Sequence, residues 1–304
     1  PEWAKKVIWY QIFPERFNNG NPVNNPTVDR VAGHHKLPEH WEISPWTGDW
    51  YERADWEKEL GPDFRDGVFF RRYGGDIQGI IDKLDYLQDL GIGAIYLNPV
   101  FDAVSLHKYD TSHYHHIDRF FGPNPEGDAV IMEREDPSDP ESWEWTSADR
   151  QFLRLVEEVH RRGMRIIIDG VFNHTGTDFW AFDDLQKKQQ YSRFKEWYDV
   201  IEFEDPDTPD STEFDYHGWW GIKDLPELKE EDGTLVEPVR KHIFNITRRW
   251  MAPDGDVSKG VDGWRLDVPE EISTPFWEEW CALVRSINPE AYIVGEIWDE
   301  KASH

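Results

Sequence analysis

The sequence predicts an α/β fold in which parallel strands alternate with helices around a (β/α)8 barrel, with about the first five strands present. Three observations lead there. Short runs rich in Ile, Val and Tyr alternate with stretches of helical apolar period in the order βαβαβαβαβ, the pattern of right-handed parallel crossovers. Polar side chains collect where these runs end, as they do at the mouth of a barrel. No Gly-x-Gly-x-x-Gly turn follows the first run, which weighs against a doubly wound sheet, the other architecture that strict alternation allows.

In chain order, residues 7–13, 94–100, 164–172, 263–268 and 291–298 read as buried strands, because their apolar residues run nearly without interruption. Residues 75–90, 147–162, 236–251 and 275–286 carry apolar positions at helical spacing and read as the helices between them. Gly91 and Gly163 stand where the first two helices should stop. Two connections, 102–146 and 175–235, are too long for plain loops and rich in Trp, His, Asp and Pro. Both follow strands, where a site would be built. Within the first, 122–145 is acidic and Pro-rich and reads as a solvated excursion. Trp41, Trp46 and Trp50, Trp143 and Trp145, and Trp219 and Trp220 are the aromatics least like core.

Composition narrows the function. The 304 residues hold 61 acidic against 33 basic side chains, a formal net charge of −28. Such a field repels phosphate backbones and anionic lipid, so nucleic acid is excluded as a partner. Aromatics make up 15%, too many for a disordered chain. No window approaches the ~18 consecutive apolar residues of a membrane span, so no membrane association is expected. Cys281 is the only cysteine; no intrachain disulfide can form, and burial on its apolar-periodic helix is expected. The chain opens Pro1-Glu2-Trp3 without an initiator Met or signal sequence, so the natural N-terminus is expected upstream.

Three strand ends carry groups suited to chemistry. In Val261-Asp262-Gly263-Trp264-Arg265-Leu266-Asp267, period-two alternation places Arg265 and Asp267 on one face. A cation beside a carboxylate depresses its pKa and keeps it ionised, which suits a nucleophile and also a structural ion pair. Glu296 is flanked by Gly and large apolar groups. It is expected to be buried, to titrate high and to hold a proton as a general acid; the alternative is a loop-anchoring carboxylate. On neighbouring strands the two match retaining glycoside hydrolysis, where the carboxyl pair stands ~5–5.5 Å apart. Asp169, Asn173 and His174 end the third strand. Asp169 faces inward, where it could orient Arg265, and His174 could donate to a sugar hydroxyl or be an ordinary structural group. Aromatics at strand ends suit sugars, whose faces stack on rings while their hydroxyls need polar partners. Asn19, Asn21, Asn24 and Asn25, with Gly74 and Asp76 later in the chain, offer oxygen ligands for calcium, or else an ordinary Asn/Gly turn.

These segments resemble a known family. Gly260-Val261-Asp262-Gly263-Trp264-Arg265-Leu266-Asp267, Asp169-Gly170-Val171-Phe172-Asn173-His174 and Gly295-Glu296-Ile297-Trp298-Asp299 are similar to three of the four conserved regions of the α-amylase family. Trp9-Tyr10-Gln11-Ile12-Phe13-Pro14-Glu15-Arg16-Phe17, His107-Lys108-Tyr109-Asp110-Thr111 and Leu225-Pro226-Glu227-Leu228 resemble its cyclomaltodextrinase, neopullulanase and maltogenic amylase group. The likeness spans essentially the whole chain. It implies a retaining hydrolase of α-1,4-glucosidic bonds in cyclodextrins, maltooligosaccharides, starch or pullulan, with some transglycosylation. It further implies Asp267 as nucleophile, Glu296 as acid/base, Arg265 orienting the nucleophile and His174 binding the sugar before the scissile bond. Tyr109 would stack on that sugar, and Asp169 and Asn173 would shape the site. Residues 1–174 would be the first part of the catalytic barrel, 175–235 the family's domain B inserted after the third strand, and 236–304 the fourth and fifth strands. The family's calcium loop matches Asn19, Asn21, Asn24, Asn25, Gly74 and Asp76, with Asn at two positions often filled by Asp.

The chain also departs from that pattern. Relatives usually carry a β-sandwich domain before the segment that starts here at Pro1, and often dimerise through it. The fourth conserved region, with the third catalytic carboxylate, does not occur in the 304 residues. The partners implied are an α-glucan and either a second copy or the rest of the enzyme; the isolated chain is expected to be inactive. Location is not readable from the residues, and the group resemblance leans to the cytoplasm. A catalytically silent amylase-like binding or assembly module, and an α-glucosidase, are the alternatives. Retention of Asp267, Glu296, Arg265 and His174 together favours an active enzyme.

Overall fold

The apolar runs form five strands in a computed structural model that describes residues 1–33, 35–46, 49–205, 207 and 213–298. They are β1 (Ile8–Ile12), β2 (Ile92–Leu97), β3 (Arg165–Gly170), β4 (Gly263–Leu266) and β5 (Tyr292–Gly295). Their order in the sheet is their order in the chain, and every pairing in it is parallel. A doubly wound sheet reverses direction at a switch point. Here each strand adds on the same side as the last, which is how a barrel grows. The sheet also curls: the rings of Trp9 on β1 and Tyr292 on β5 lie 5.1 Å apart although the two strands are not paired.

Helices cover the outer face. The single helix expected over 75–90 is two, α1 (Ile77–Asp82) and α2 (Leu84–Asp89), broken at Lys83. Ile77, Ile80, Leu84 and Leu87 nevertheless form one buried face. Then come α3 (Pro125–Arg134), α4 (Ser147–Arg161), α5 (Trp180–Lys188), α6 (Glu237–Met251) and α7 (Thr274–Ile287). Asp76 caps α1 by accepting from Gly79 N at 2.6 Å, and Thr146 and Asp149 form a reciprocal capping box at α4. Gly91 and Gly163 end their helices at φ +84° and +72°, as expected. Phe152, Leu155 and Val159 of α4, Ile246 and Trp250 of α6 and Phe276 and Trp280 of α7 join Ile166 and Ile168 of β3 in one core. Among the described residues no helix is long and apolar enough to cross a membrane.

The two long connections are folded. The first holds an antiparallel hairpin, Phe101–Ala103 with Thr111–Ile117, and then α3. The solvated excursion expected over 122–145 is therefore corrected: Asn124 caps α3 through Gly127 N, Pro125 opens it, and Asp128 accepts from Ser147 N and Ala148 N. Glu135, just past its end, is buried against His115 and His116. The second connection holds α5 and two short ladders, Val200–Glu202 with Asp215–Tyr216 and Glu230–Glu231 with Thr234–Leu235. A bridge from His174 to Glu227 ties it to the end of β3. Trp41, expected to be unlike core, is buried in a small separate core with Val31, Leu37 and Trp56. Trp46 and Trp50 are exposed and lie against Tyr73. Cys281 is half-buried.

Candidate active site

Parallel register decides which side chains meet. Arg265 on β4 pairs with Asp169 on β3 and Val294 on β5, and side chains so paired face the same side of the sheet. Its Nη1 lies 2.9 and 3.0 Å from the two oxygens of Asp169 and 2.8 Å from Oδ1 of Asp267, while Nη2 contacts Oε2 of Glu296. One guanidinium thus gathers three carboxylates at the carboxyl ends of three adjacent strands. Asp267 N donates to Gly170 O at 3.1 Å and Glu296 N to Leu266 O at 2.9 Å, which carries the strand register past the strand ends. Val268 follows Asp267 with φ +34°, a left-handed conformation unusual for a β-branched residue and of the kind that collects at functional sites.

One electrostatic expectation and one expectation of burial are corrected. Arg265 does not hold the Asp267 carboxyl down: burial raises it to about 7, the charge of Asp169 adds to the rise, and Arg265 offsets only part. Burial likewise lifts Asp169 to about 6 against the opposing pull of Arg265, Tyr96 and Tyr109. The physical reason is that both carboxyls are buried, and Arg265, which also meets Glu296, offsets only part of that cost. Glu296 is not buried; its side chain is 37% exposed and meets Arg265. Its strand is at the edge of the sheet, with a neighbour on one side only among the described residues.

Around this cluster the other expected residues take their places. His174 is buried, with Nδ1 3.3 Å from Asn173 Nδ2 and with Nε2 unpartnered among the described residues. Burial drops its pKa to about 4, so the ring is neutral at ordinary pH. Its ring stacks at 5.4 Å on Trp219, which stacks at 5.2 Å on the exposed Trp220. The Tyr109 hydroxyl lies 3.3 Å from Asp169 Oδ2 and accepts from Asn98 Nδ2 at 3.3 Å. Lys108 before it holds φ +61°. Tyr96, missed from the sequence, donates to Asp169 Oδ2 at 2.5 Å. The available signal was Tyr96 and Asn98 at alternate positions, polar groups on one face where β2 ends. Trp298 is a second exposed ring, 6.4 Å from Trp220. Asp299, which closes the third motif, lies outside the described residues.

The six oxygen-bearing positions near the N-terminus also come together. Asp76 accepts from Gly20 N, Asn21 N and Asn24 Nδ2 as well as Gly79 N, and Asn19 donates to Asn25 Oδ1 at 2.8 Å. Gly74, at φ +75°, packs so closely that a Cβ would stand 2.3 Å from both Asn19 Nδ2 and Asn25 Oδ1. Asn19 Oδ1 and Asn24 Oδ1 are buried without a partner among the described residues.

The chain is similar along its length to characterised proteins. It is 38% identical over 300 residues to neopullulanase 2 of Thermoactinomyces vulgaris, covering 99% of this chain and 40% of that protein. It is 37% identical over 298 residues to the intracellular maltogenic amylase of Bacillus subtilis strain 168, covering 98% and 39%. Among solved structures, the cyclic α-maltosyl-(1→6)-maltose hydrolase of Arthrobacter globiformis superposes with a TM-score of 0.69 at 30% identity, over 98% of this chain and 52% of that one. The chain thus spans about 40% of the length of the curated relatives. The sequence profile of the α-amylase catalytic domain matches residues 11–136 and 146–304, and the chain belongs to the α-amylase family.

Proposed function

We propose that the protein built on this chain hydrolyses α-1,4-glucosidic bonds in cyclodextrins, maltooligosaccharides, starch or pullulan with retention of configuration, and also transfers glycosyl groups. The observation that carries the reading is the Arg265 guanidinium in contact with Asp169, Asp267 and Glu296 at the ends of β3, β4 and β5. The names of the relatives support it. In a retaining mechanism one carboxylate attacks the anomeric carbon while a second protonates the leaving oxygen. The second then deprotonates the water that releases the sugar. Asp267 suits the attack: Arg265 holds Oδ1, and no bond engages Oδ2 among the described residues. Glu296 suits the proton transfers, because its part-exposed side chain can meet both the leaving oxygen and water. Asp169 fixes Arg265 from the far side, His174 offers an unpartnered buried nitrogen to a sugar hydroxyl, and Tyr109 offers its ring. Further polypeptide, from the same chain or a second one, would supply strand partners for β1 and β5.

The test is incubation of the full-length protein with cyclodextrin, starch and pullulan, with product configuration followed by NMR. Products released as the α-anomer are expected. Release of the β-anomer, or cleavage of none of these glucans, would overturn the reading.

We also propose that Asn19, Asn21, Asn24, Asn25, Gly74 and Asp76 hold a structural calcium ion. The unpartnered Asn19 Oδ1 and Asn24 Oδ1 are the hard oxygen donors such an ion takes. Calcium there would stabilise the packing of the N-terminal segment on α1, about 2.7 kcal/mol at a hundredfold excess over Kd. A melting temperature indifferent to both chelator and added calcium would leave the cluster as a turn.

A further inference from the structure

Adjacent residues of a strand point to opposite faces, yet His115 and His116 turn to the same carboxylate. Their rings lie 4.3 Å apart, and both Nε2 atoms contact Oε1 of Glu135, that of His115 at 2.9 Å. The hairpin makes this possible: Asp102 pairs with His113, while its neighbour Phe101 already pairs with Ile117. The residues between are bulged, and bulges re-aim side chains. All three side chains are buried, at 0–1% exposure. Their ligand atoms lie within 4.8 Å of one another, the one such grouping found among the described residues.

Two further features accompany the grouping. Nδ1 of His116 lies 2.8 Å from Oδ2 of Asp149. Asp149 is in turn held by Ile117 N, Thr146 N and Arg249. A metal-bound imidazole keeps its far nitrogen on a carboxylate fixed in this way. Second, His113 Nδ1, His115 Nδ1 and His242 Nε2 are buried in the same cluster without a partner among the described residues. A cluster selected for hydrogen bonding alone would have satisfied them.

We propose that His115 Nε2, His116 Nε2 and Glu135 Oε1 bind one divalent transition-metal ion of the zinc type. Two imidazoles and a carboxylate are donors that Zn²⁺ accepts, and three protein ligands leave a position for water or a fourth group. The ion would pin the bulged hairpin to the end of α3 and, through Asp149, to the start of α4. Among the described residues none of the three ligands contacts Arg265, Asp267 or Glu296, so its role would be structural.

The experiment is titration of the chelator-treated, folded protein with Co²⁺, followed in the visible spectrum, with Zn²⁺ added as competitor. One equivalent giving the intense absorption of a four-coordinate nitrogen and oxygen site, displaced by Zn²⁺, is expected. E135Q and H115Q should abolish that spectrum, and D149N should weaken binding about 10–100-fold. Weak six-coordinate absorption spread over several equivalents would show surface carboxylates at work and overturn the proposal. So would wild-type cobalt spectra in folded E135Q and H115Q. The wild-type stoichiometry and spectrum need no variant, so a misfolded variant does not leave the matter open.

Discussion

Burying Asp267 and Asp169 beside a guanidinium that also meets Glu296 leaves more negative charge than Arg265 balances, and burial raises the two carboxyls to about 7 and about 6. An Asp in the unfolded chain titrates near ~3.9. A folded pKa above that value means that the native state holds its proton more tightly than the unfolded one. The stability contribution is therefore full below pH ~4 and is lost as pH rises through the folded pKa. Asp267→Asn removes one such charge, so it is expected to stabilise the protein at pH 8 by about 0.5–2 kcal/mol, the usual gain from relieving an active-site group. The gain should fade toward pH 4. Urea unfolding at both pH values checks it, and a variant less stable at pH 8 would show that the lost Arg265 contact outweighs burial. In the full-length enzyme the same substitution should abolish a covalent glycosyl intermediate, since an amide does not attack the anomeric carbon. A slow fluoro-sugar should label a wild-type peptide that contains Asp267; labelling elsewhere removes the assignment. Glu296→Gln should slow cleavage of a sugar leaving group by roughly 10²–10⁴ while largely sparing the first step with an activated leaving group. Equal losses on both substrates would contradict an acid role.

Both carboxylates ride on the pairing of β4 with β5, and that pairing passes through Gly263. A Cβ there would stand 1.9 Å from Tyr292 O, the carbonyl of its paired residue. Gly263→Ala is expected to destabilise by about 1–3 kcal/mol or more through strand separation, and to lower kcat of the full-length enzyme as Asp267 and Glu296 move apart. Unchanged melting and turnover would show that the edge strand yields freely. The elements themselves were readable, because near-continuous Ile and Val runs such as Ile166-Ile167-Ile168 have few other destinations. The break at Lys83 was not, since one non-helical residue leaves the apolar period of 75–90 intact. Nor was α3, an acidic helix whose signals are its Asn124 cap and Pro125 start. At the site, the grouping of Arg265, Asp169 and Asp267 follows from alternation and strand order. The exposure of Glu296 and the raised Asp267 carboxyl do not, because they depend on which strands flank β5 and on how deeply the Asp267 carboxyl is buried. His115 and His116 show the limit most directly: alternation sends them apart, and a bulge brings them together.

Across the whole molecule, the sheet is bent like a barrel wall and open like a sheet. Trp9 and Tyr292 draw β1 and β5 toward each other at the amino ends, and Trp3 Nε1 donates to Glu290 O at 2.9 Å. At the carboxyl ends, where the carboxylates stand, no contact of that kind joins the two edges among the described residues. Among the described residues each edge strand has one neighbour, so each presents a row of backbone groups that invites another strand. A barrel interior also fills with layers contributed by alternate strands, and five strands supply only part of them. The net charge of −28 works the other way, because like charges keep copies apart at low salt. Screening shortens that repulsion to about 10 Å at 0.1 M. The 304-residue chain expressed by itself is therefore expected to be monomeric in dilute buffer, to associate as salt rises, and to turn over no cyclodextrin at either salt. Sedimentation velocity across a salt series, on material of verified intact mass and with a cyclodextrin assay on each fraction, checks all of this. A species that stays monomeric at high salt and hydrolyses cyclodextrin at an ordinary enzymatic rate would show that five strands already hold Asp267, Glu296 and their substrate in working order.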